Sequence, residues 1–190
     1  MKTQVETTTP RVVNGINVDA LTALVEGVRR DATKGKTVWR VATTWCGQTR
    51  SQSDVSGVMI GGEEVARRFS FQIDEPLELG GTNAFANPQE YLIAALNACM
   101  IVGYAAQCAI RGITLEQLEI KTEGEIDLRG FLGLDSSVRP GYESLTSTVR
   151  LRGDGTAEQF AEVHKAVLAT SPNFYNLSKA VALKPTLVVE

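Results

Sequence analysis

Three thiols and one imidazole are the most versatile nucleophiles in this chain: Cys46, Cys99, Cys108 and His164. So small a set excludes a Cys/His zinc site and a disulfide framework. An odd, small number of thiols fits a reducing compartment. Any thiol chemistry must come from one or two sulfurs. Cys99 stands out by its surroundings, because it closes the stretch Asn87-Pro88-Gln89-Glu90-Tyr91-Leu92-Ile93-Ala94-Ala95-Leu96-Asn97-Ala98-Cys99. Asn at an N-cap followed by Pro at the first helical position is a strong helix start. Ala94, Ala95 and Ala98 are small enough to let another element come close. That suits a shielded but reachable thiol, and it equally suits tight packing, since free cysteine is among the most buried residue types.

The elements that must carry this stretch follow from periodicity. Residues 1–16, polar and Thr-rich, read as loosely held. A first helix follows with Asp19 as N-cap and Leu21, Leu24, Val25 and Val28 on one face, ending at Lys34-Gly35-Lys36. Val38–Cys46, Val55–Ile60 and Val65–Ile73 read as three strands, with Gly47–Asp54 a polar connection and Gly61-Gly62 a hairpin turn. Trp39, Trp45, Phe69 and Phe71 are expected in the core, and Arg67 is the one conflict on its strand. After Glu75-Pro76 and the glycine-rich Gly80-Gly81-Thr82-Asn83, the central helix runs to about Arg111, with Gly112 as its C′ residue. Leu118, Ile120, Ile126 and Leu128 mark a fourth strand, and Leu145–Leu151 a fifth. Thr156 with Gln159 is a capping box that opens a helix bearing Phe160, Val163, Val167 and Leu168. Ser171-Pro172 stops that helix, and Ala180–Val189 reads as a last strand. The order α-βββ-α-ββ-α-β, with strands in antiparallel runs, argues for an α+β fold.

Bulk properties agree with one soluble domain plus an appendage. The chain has 190 residues, 43% of them hydrophobic and 22% charged, enough to bury a core. Its net charge of −3 offers no basic surface for a phosphate backbone, so a nucleic-acid partner is not expected. The N-terminal residues lack the apolar run of a secretory signal. Tyr91–Ile110 is uncharged and long enough to span a bilayer. Its Asn97 and Gln107, its alanine content and its amphipathic flanks read instead as the central helix of a domain. The expectation is a cytoplasmic protein with no membrane partner, metal or cofactor.

The combination Asn87-Pro88-x-Glu90-x-Leu92-Ile93-Ala94-Ala95 followed by Ala98-Cys99 resembles the OsmC/Ohr family (osmotically inducible protein C and organic hydroperoxide resistance proteins). Gly80-Gly81-Thr82-Asn83 upstream, Arg111-Gly112-Ile113 with Leu118, and Val163-His164-Lys165-Ala166 support the likeness. It covers residues 37–190, and residues 1–36 would be an N-terminal tail and extra helix. The resemblance implies antiparallel sheets around a long central helix in an intertwined homodimer with two interfacial sites. It implies that Cys99 is a peroxidatic thiolate, oxidised to a sulfenic acid by a hydroperoxide. An arginine and a glutamate would keep that thiol ionised, and a second cysteine would close a disulfide that dithiols reopen.

Two positions depart from the pattern. The second cysteine stands in a Cys-Pro dipeptide in the family, and Ser171-Pro172 matches it here. A hydroxyl cannot resolve a sulfenate. Cys108, nine residues along the same helix, would lie about 13 Å away along the axis, outside disulfide reach. The family glutamate directly follows the Asn-Pro and matches Gln89. Glu90 is ionisable but points about 100° away. Arg50 is the best match for the arginine, with Arg67 and Arg68 as alternatives. On a helix beside Val163, His164 reads as a packed or capping residue more readily than as a base. The expected catalytic set is therefore Cys99, Arg50, Gln89 and Glu90. Two functions follow. One is thiol-dependent reduction of organic hydroperoxides by Cys99 alone with an external thiol reductant, in an oxidative-stress response. The other is a non-peroxidatic dimer that binds a small apolar ligand.

Overall fold

The structure is a computed structural model that describes residues 9–189. The chain divides into two compact units, one ending at Leu92 and the other beginning at Ile93.

The first unit opens with a small hairpin, β1 (Val12–Val13) and β2 (Ile16–Asn17). Asn14 and Gly15 turn it, at φ 53° and 74°. Two left-handed residues in a two-residue loop make the type I′ turn that Asn-Gly favours, so this part of the expected loose tail is ordered. Residues 1–8 lie outside the described residues. Helix α1 (Val18–Arg30) is capped by Asn17, whose side chain accepts the Ala20 amide, not by Asp19. Asp19 instead accepts the Arg11 amide. The helix stops at Arg30, and Ala32–Gly35 forms a short 3-10 turn.

The strands that follow belong to two three-stranded antiparallel sheets. β3 (Thr37–Trp39), β6 (Val58–Ile60) and β7 (Glu63–Val65) make one. β4 (Ala42–Trp45), β5 (Ser51–Val55) and β8 (Phe69–Ile73) make the other. All three expected strands are therefore divided between the sheets, where the backbone leaves one for the other at Arg40-Val41, at residues 56–57 and at residues 66–68. Gly57, at φ 151°, lies between β5 and β6. Ser51–Val55 is a central strand because it pairs with both β4 and β8, although all of it but Val55 falls in the stretch Gly47–Asp54 expected from its polarity to be a connection. Arg67 falls off the ladder, which removes its conflict, and its guanidinium sits over the rings of Trp39 and Phe69 at 5.9 and 5.1 Å. The expected aromatic core is absent. Trp39, Trp45, Phe69 and Phe71 are all exposed, and Val18 and Val58 are the buried hydrophobics among this unit's described residues. The start of the central helix touches the second sheet, where Tyr91 packs on Phe71 at 5.2 Å between ring centroids and donates its hydroxyl to the Gln72 carbonyl at 2.8 Å.

Helix α2 (Pro88–Ile110) starts in the first unit and continues through the second. Among the described residues it is the one helix long and apolar enough to cross a membrane by length and composition. Its Leu96, Met100, Tyr104 and Cys108, spaced by four, instead form the centre of the second unit's core with Ile113, Ile120, Val163 and Val167. Gly112, at φ 73°, ends the helix as expected. β9 (Leu115–Glu123) and β10 (Thr146–Gly153) pair antiparallel. Leu128, expected on a strand, begins the short α3 (Leu128–Phe131). Helix α4 (Ala157–Thr170) has the expected capping box of Thr156 and Gln159. It crosses α2 closely, since a Cβ on Gly103 would meet the Val167 Cγ atoms at 3.3 and 3.4 Å. Ser171-Pro172 stops α4 and at once starts a further helix, α5 (Pro172–Ser178). No strand forms over 180–189, whose Val181, Leu183, Leu187, Val188 and Val189 are exposed. A strand exists only when another pairs with it, and the described chain supplies none there.

Candidate functional site

Cys99 lies on α2 next to the buried stripe, one residue before Met100 and three after Leu96. That flank leaves it half-buried with a free thiol. Two polar side chains fix this part of the helix. Asn97 donates to the Ile120 carbonyl at 3.4 Å and accepts the Thr122 hydroxyl at 2.6 Å, pinning α2 to β9. Asn173 donates to the Ala95 carbonyl at 2.9 Å, pinning α5 to α2. The small residues around Cys99 thus admit a neighbouring helix, as their size suggested.

Ser171 arrives at the thiol from α5. Its hydroxyl donates to Cys99 Sγ at 3.3 Å, and its oxygen accepts the Phe174 amide at 3.4 Å. The side chain is 95% buried, and Ser171 closes α4 while capping α5. With the amide on an oxygen lone pair, the single hydroxyl proton is free for sulfur. A hydroxyl in that place can donate to sulfur or to an oxygen bound to it. The residue that the sequence marks as a missing cysteine is therefore the one that faces Cys99.

The other thiols are unlike it. Cys108 is fully buried, and burial pushes its thiol pKa up, with Arg111 opposing and Asp154 reinforcing the rise. Cys46 is exposed on the turn after β4 and donates to the Thr44 carbonyl at 3.5 Å. His164, exposed on α4, shares a short hydrogen bond between its Nδ1 and the hydroxyl of Tyr104, which is buried. Burial raises the tyrosine's pKa. The pair borders a cavity of about 390 Å³, lined also by Ser147, Val149, Leu151, Phe160 and Ala161.

Of the remaining expected site residues, Gln89 and Glu90 sit in the first turn of α2, in the first unit. The Glu90 carboxylate accepts the Asn87 amide at 2.7 Å while Asn87 accepts the Glu90 amide at 2.9 Å. Glu90 is thus half of a reciprocal capping pair, which consumes one of its oxygens. Arg50 ends the turn Cys46–Arg50, exposed, with no ion-pair partner among the described residues. Arg67 is engaged by two rings, and Arg68 is exposed between β7 and β8. No group of three or more His, Cys, Asp or Glu among the described residues could hold a metal ion.

One residue that sequence reasoning passed over organises the first unit's loops. Asp74, just after β8, is fully buried and accepts hydrogen bonds from Thr49, Thr82 and Ala84. Those contacts, the Thr49 and Thr82 hydroxyls foremost, hold its carboxyl far below the ordinary range against the opposing effect of burial. Nearby, a Cβ on Gly81 would lie 1.8 Å from the Glu75 carbonyl oxygen, so the glycine-rich loop touches backbone to backbone. Sequence marks the glycines but not the acid beneath them.

The sequence model of a family described as OsmC-like protein matches residues 81–186. No curated protein sequence matches the chain. Among solved structures, the chain is similar to an OsmC-like protein from Mycoplasma pneumoniae, at 12% identity and a TM-score of 0.59. That match covers 75% of this chain and 89% of the other. An OsmC-like protein of unknown function from Vibrio cholerae aligns at 12% identity and a TM-score of 0.54, covering 72% and 91%. An OsmC-like hydroperoxide resistance protein from Jannaschia aligns at 17% identity and a TM-score of 0.44, covering 80% and 91%.

Proposed function

Since this chain belongs to the OsmC-like family, we propose that it reduces organic hydroperoxides through Cys99, as a one-cysteine enzyme that uses an external thiol. The observation that carries this reading is a half-exposed thiol faced by a buried hydroxyl donor at 3.3 Å. In the first step the Cys99 thiolate attacks the terminal peroxide oxygen. The O–O bond breaks, the alkoxide leaves and takes a proton as the alcohol, and the sulfur becomes a sulfenic acid. The Ser171 hydroxyl donates first to the thiolate and then to the sulfenate oxygen. It has no sulfur to offer, and Cys108 is buried about 13 Å along the same helix. An external thiol therefore attacks the sulfenic sulfur, releasing water and leaving a mixed disulfide. A second thiol opens that bond, so one hydroperoxide and two thiols become one alcohol, one water and one disulfide. Gln89 and Glu90 stand in the first turn of the helix that carries Cys99, where Glu90 and Asn87 cap its start.

The working form is a cytoplasmic homodimer in an oxidative-stress response. The exposed Trp39, Trp45 and Phe69 of the first unit, and the near absence of buried hydrophobics there, support a second copy as the covering layer. Treating reduced protein with an alkyl hydroperoxide should add one oxygen to Cys99 by mass spectrometry and support turnover with a dithiol. Neither should occur in Cys99→Ser. A wild type that consumes no more peroxide than Cys99→Ser would refute the reading.

A second reading, a non-peroxidatic dimer that binds a small apolar molecule, is favoured by the cavity of about 390 Å³ with its Val149, Leu151 and Phe160 walls and by the engagement of Glu90 in capping. In that case Ala161→Trp fills the cavity and abolishes binding of an apolar fluorescent probe, while Cys99→Ser leaves binding unchanged.

A further inference from the structure

Ser171 is the whole joint between α4 and α5. Its amide donates to the Val167 carbonyl at 2.9 Å as the last bond of α4. Its carbonyl accepts the Tyr175 amide at 3.0 Å and its hydroxyl oxygen the Phe174 amide at 3.4 Å, as the first bonds of α5. No loop separates the two helices, so the direction of α5 sets where the Ser171 hydroxyl points. Phe174 packs partly buried against the core, a contact without directional preference. Asn173 supplies the direction, because its Nδ2 donates to the Ala95 carbonyl at 2.9 Å. Among the described residues it is the one α5 side chain that hydrogen-bonds to α2.

The acceptor it meets belongs to the turn that carries the thiol. In an α-helix the amide of residue 99 bonds to the carbonyl of residue 95, and α2 is helical from Pro88 to Ile110. One oxygen therefore takes both the Cys99 amide and the Asn173 side chain, one on each lone pair. On α5 the grip lies two residues beyond the hydroxyl that meets Cys99 Sγ at 3.3 Å. A misplacement of about 1 Å at such a contact is enough to impair a reaction. All of these residues belong to the second unit.

We propose that Asn173 is the positioning residue for Ser171: by tying α5 to the Ala95 carbonyl it holds the Ser171 hydroxyl on the Cys99 sulfur, a role that presupposes the hydroxyl's part in the Cys99 reaction.

The test uses the full chain and has two arms. The first reads position without activity. In Ser171→Cys, equilibrium with oxidised and reduced glutathione gives the effective concentration of the introduced thiol at Cys99, one protein disulfide forming for two glutathiones released. Adding Asn173→Ala should lower that concentration about fivefold, the contribution of one hydrogen bond. Asn173→Asp, isosteric but with only acceptors to set against a carbonyl, should lower it at least as far. Thr156→Ala, which weakens α4 at its other end, should leave it within twofold. The second arm reads the rate at which tert-butyl hydroperoxide oxidises Cys99, with the sulfenic acid trapped by dimedone and counted by mass spectrometry. Ser171→Ala and Asn173→Ala should each slow it about fivefold, and the double variant should be no slower than Ser171→Ala, because the asparagine acts through the serine. An effective concentration unmoved by both Asn173 variants, one moved equally by Thr156→Ala, or further slowing in the double variant would overturn the inference and leave the role of Ser171 standing. A Ser171→Ala rate equal to wild type would overturn that role, and the inference with it.

Discussion

Replacing Ser171 by cysteine turns a hydrogen bond into a covalent one whose effect can be measured. The Ser171 oxygen lies 3.3 Å from Cys99 Sγ, and the residues are 72 positions apart. A disulfide needs its sulfurs at about 2.05 Å. Sulfur stands farther from its Cβ than oxygen does, so the remaining gap closes by a small side-chain rotation. Cross-linking a loop of this length removes unfolded-state entropy worth about 4.4 kcal/mol at 25 °C. The hydroxyl's cap on the Phe174 amide, long at 3.4 Å, is lost at a cost of about 1 kcal/mol. The net gain is about 3 kcal/mol, which raises the melting temperature by about 6–12 °C for a chain of this size. Calorimetry of oxidised Ser171→Cys with and without dithiothreitol should show that difference, and thiol titration should fall from four free thiols to two. Four titratable thiols after oxidation, with an unchanged melting temperature, would show that position 171 does not face Cys99.

Asp74→Asn should make stability less dependent on acid. The folded carboxyl is held far below its ordinary value, so its contribution is present above about pH 4, the unfolded value, and is lost as pH falls below it. The gap in urea midpoint between wild type and variant should be constant from pH 7 to 5 and narrow below about pH 4. Val167→Ala removes two buried methyl groups packed on Gly103 and should cost about 2 kcal/mol in urea unfolding. Thr156→Ala breaks the capping box of α4 and should cost about 1 kcal/mol by the same measurement. Light scattering should give a dimer mass of about 41 kDa, twice the chain's 20.5 kDa.

Local chemistry was the legible part of the chain. The start of α2 at Asn87-Pro88, its end at Gly112 and the Thr156–Gln159 box each depend on residues within one or two turns, and each formed as read. Asn17 displaced Asp19 as a cap because both types can accept an N-terminal amide and only the backbone path chooses between them. The errors among the strands share one cause. Whether Ser51–Val55 pairs, whether Val38–Cys46 breaks at Arg40, and whether 180–189 has a partner are decided by residues remote in sequence. Cys99 was recognisable because its helix has a pattern. Ser171 was recognised as a departure from a pattern, but its approach to the thiol depends on α5, a helix that periodicity did not announce. Asp74 was invisible for a simpler reason: nothing in an Asp-Glu-Pro tripeptide tells that three hydroxyl- and amide-bearing neighbours will enclose the acid.

The first unit, with Val18 and Val58 as the buried hydrophobics among its described residues, has too little interior to hold itself together. If a second copy supplies the missing layer, folding of that unit is a second-order event, governed by mass action. Newly made chains at low copy number would spend longer with Trp39 and Trp45 in water, where proteases and chaperones compete for them. Induced synthesis would shorten that interval in proportion to concentration. The amount of protein in the cell would then set its lifetime as well as its capacity.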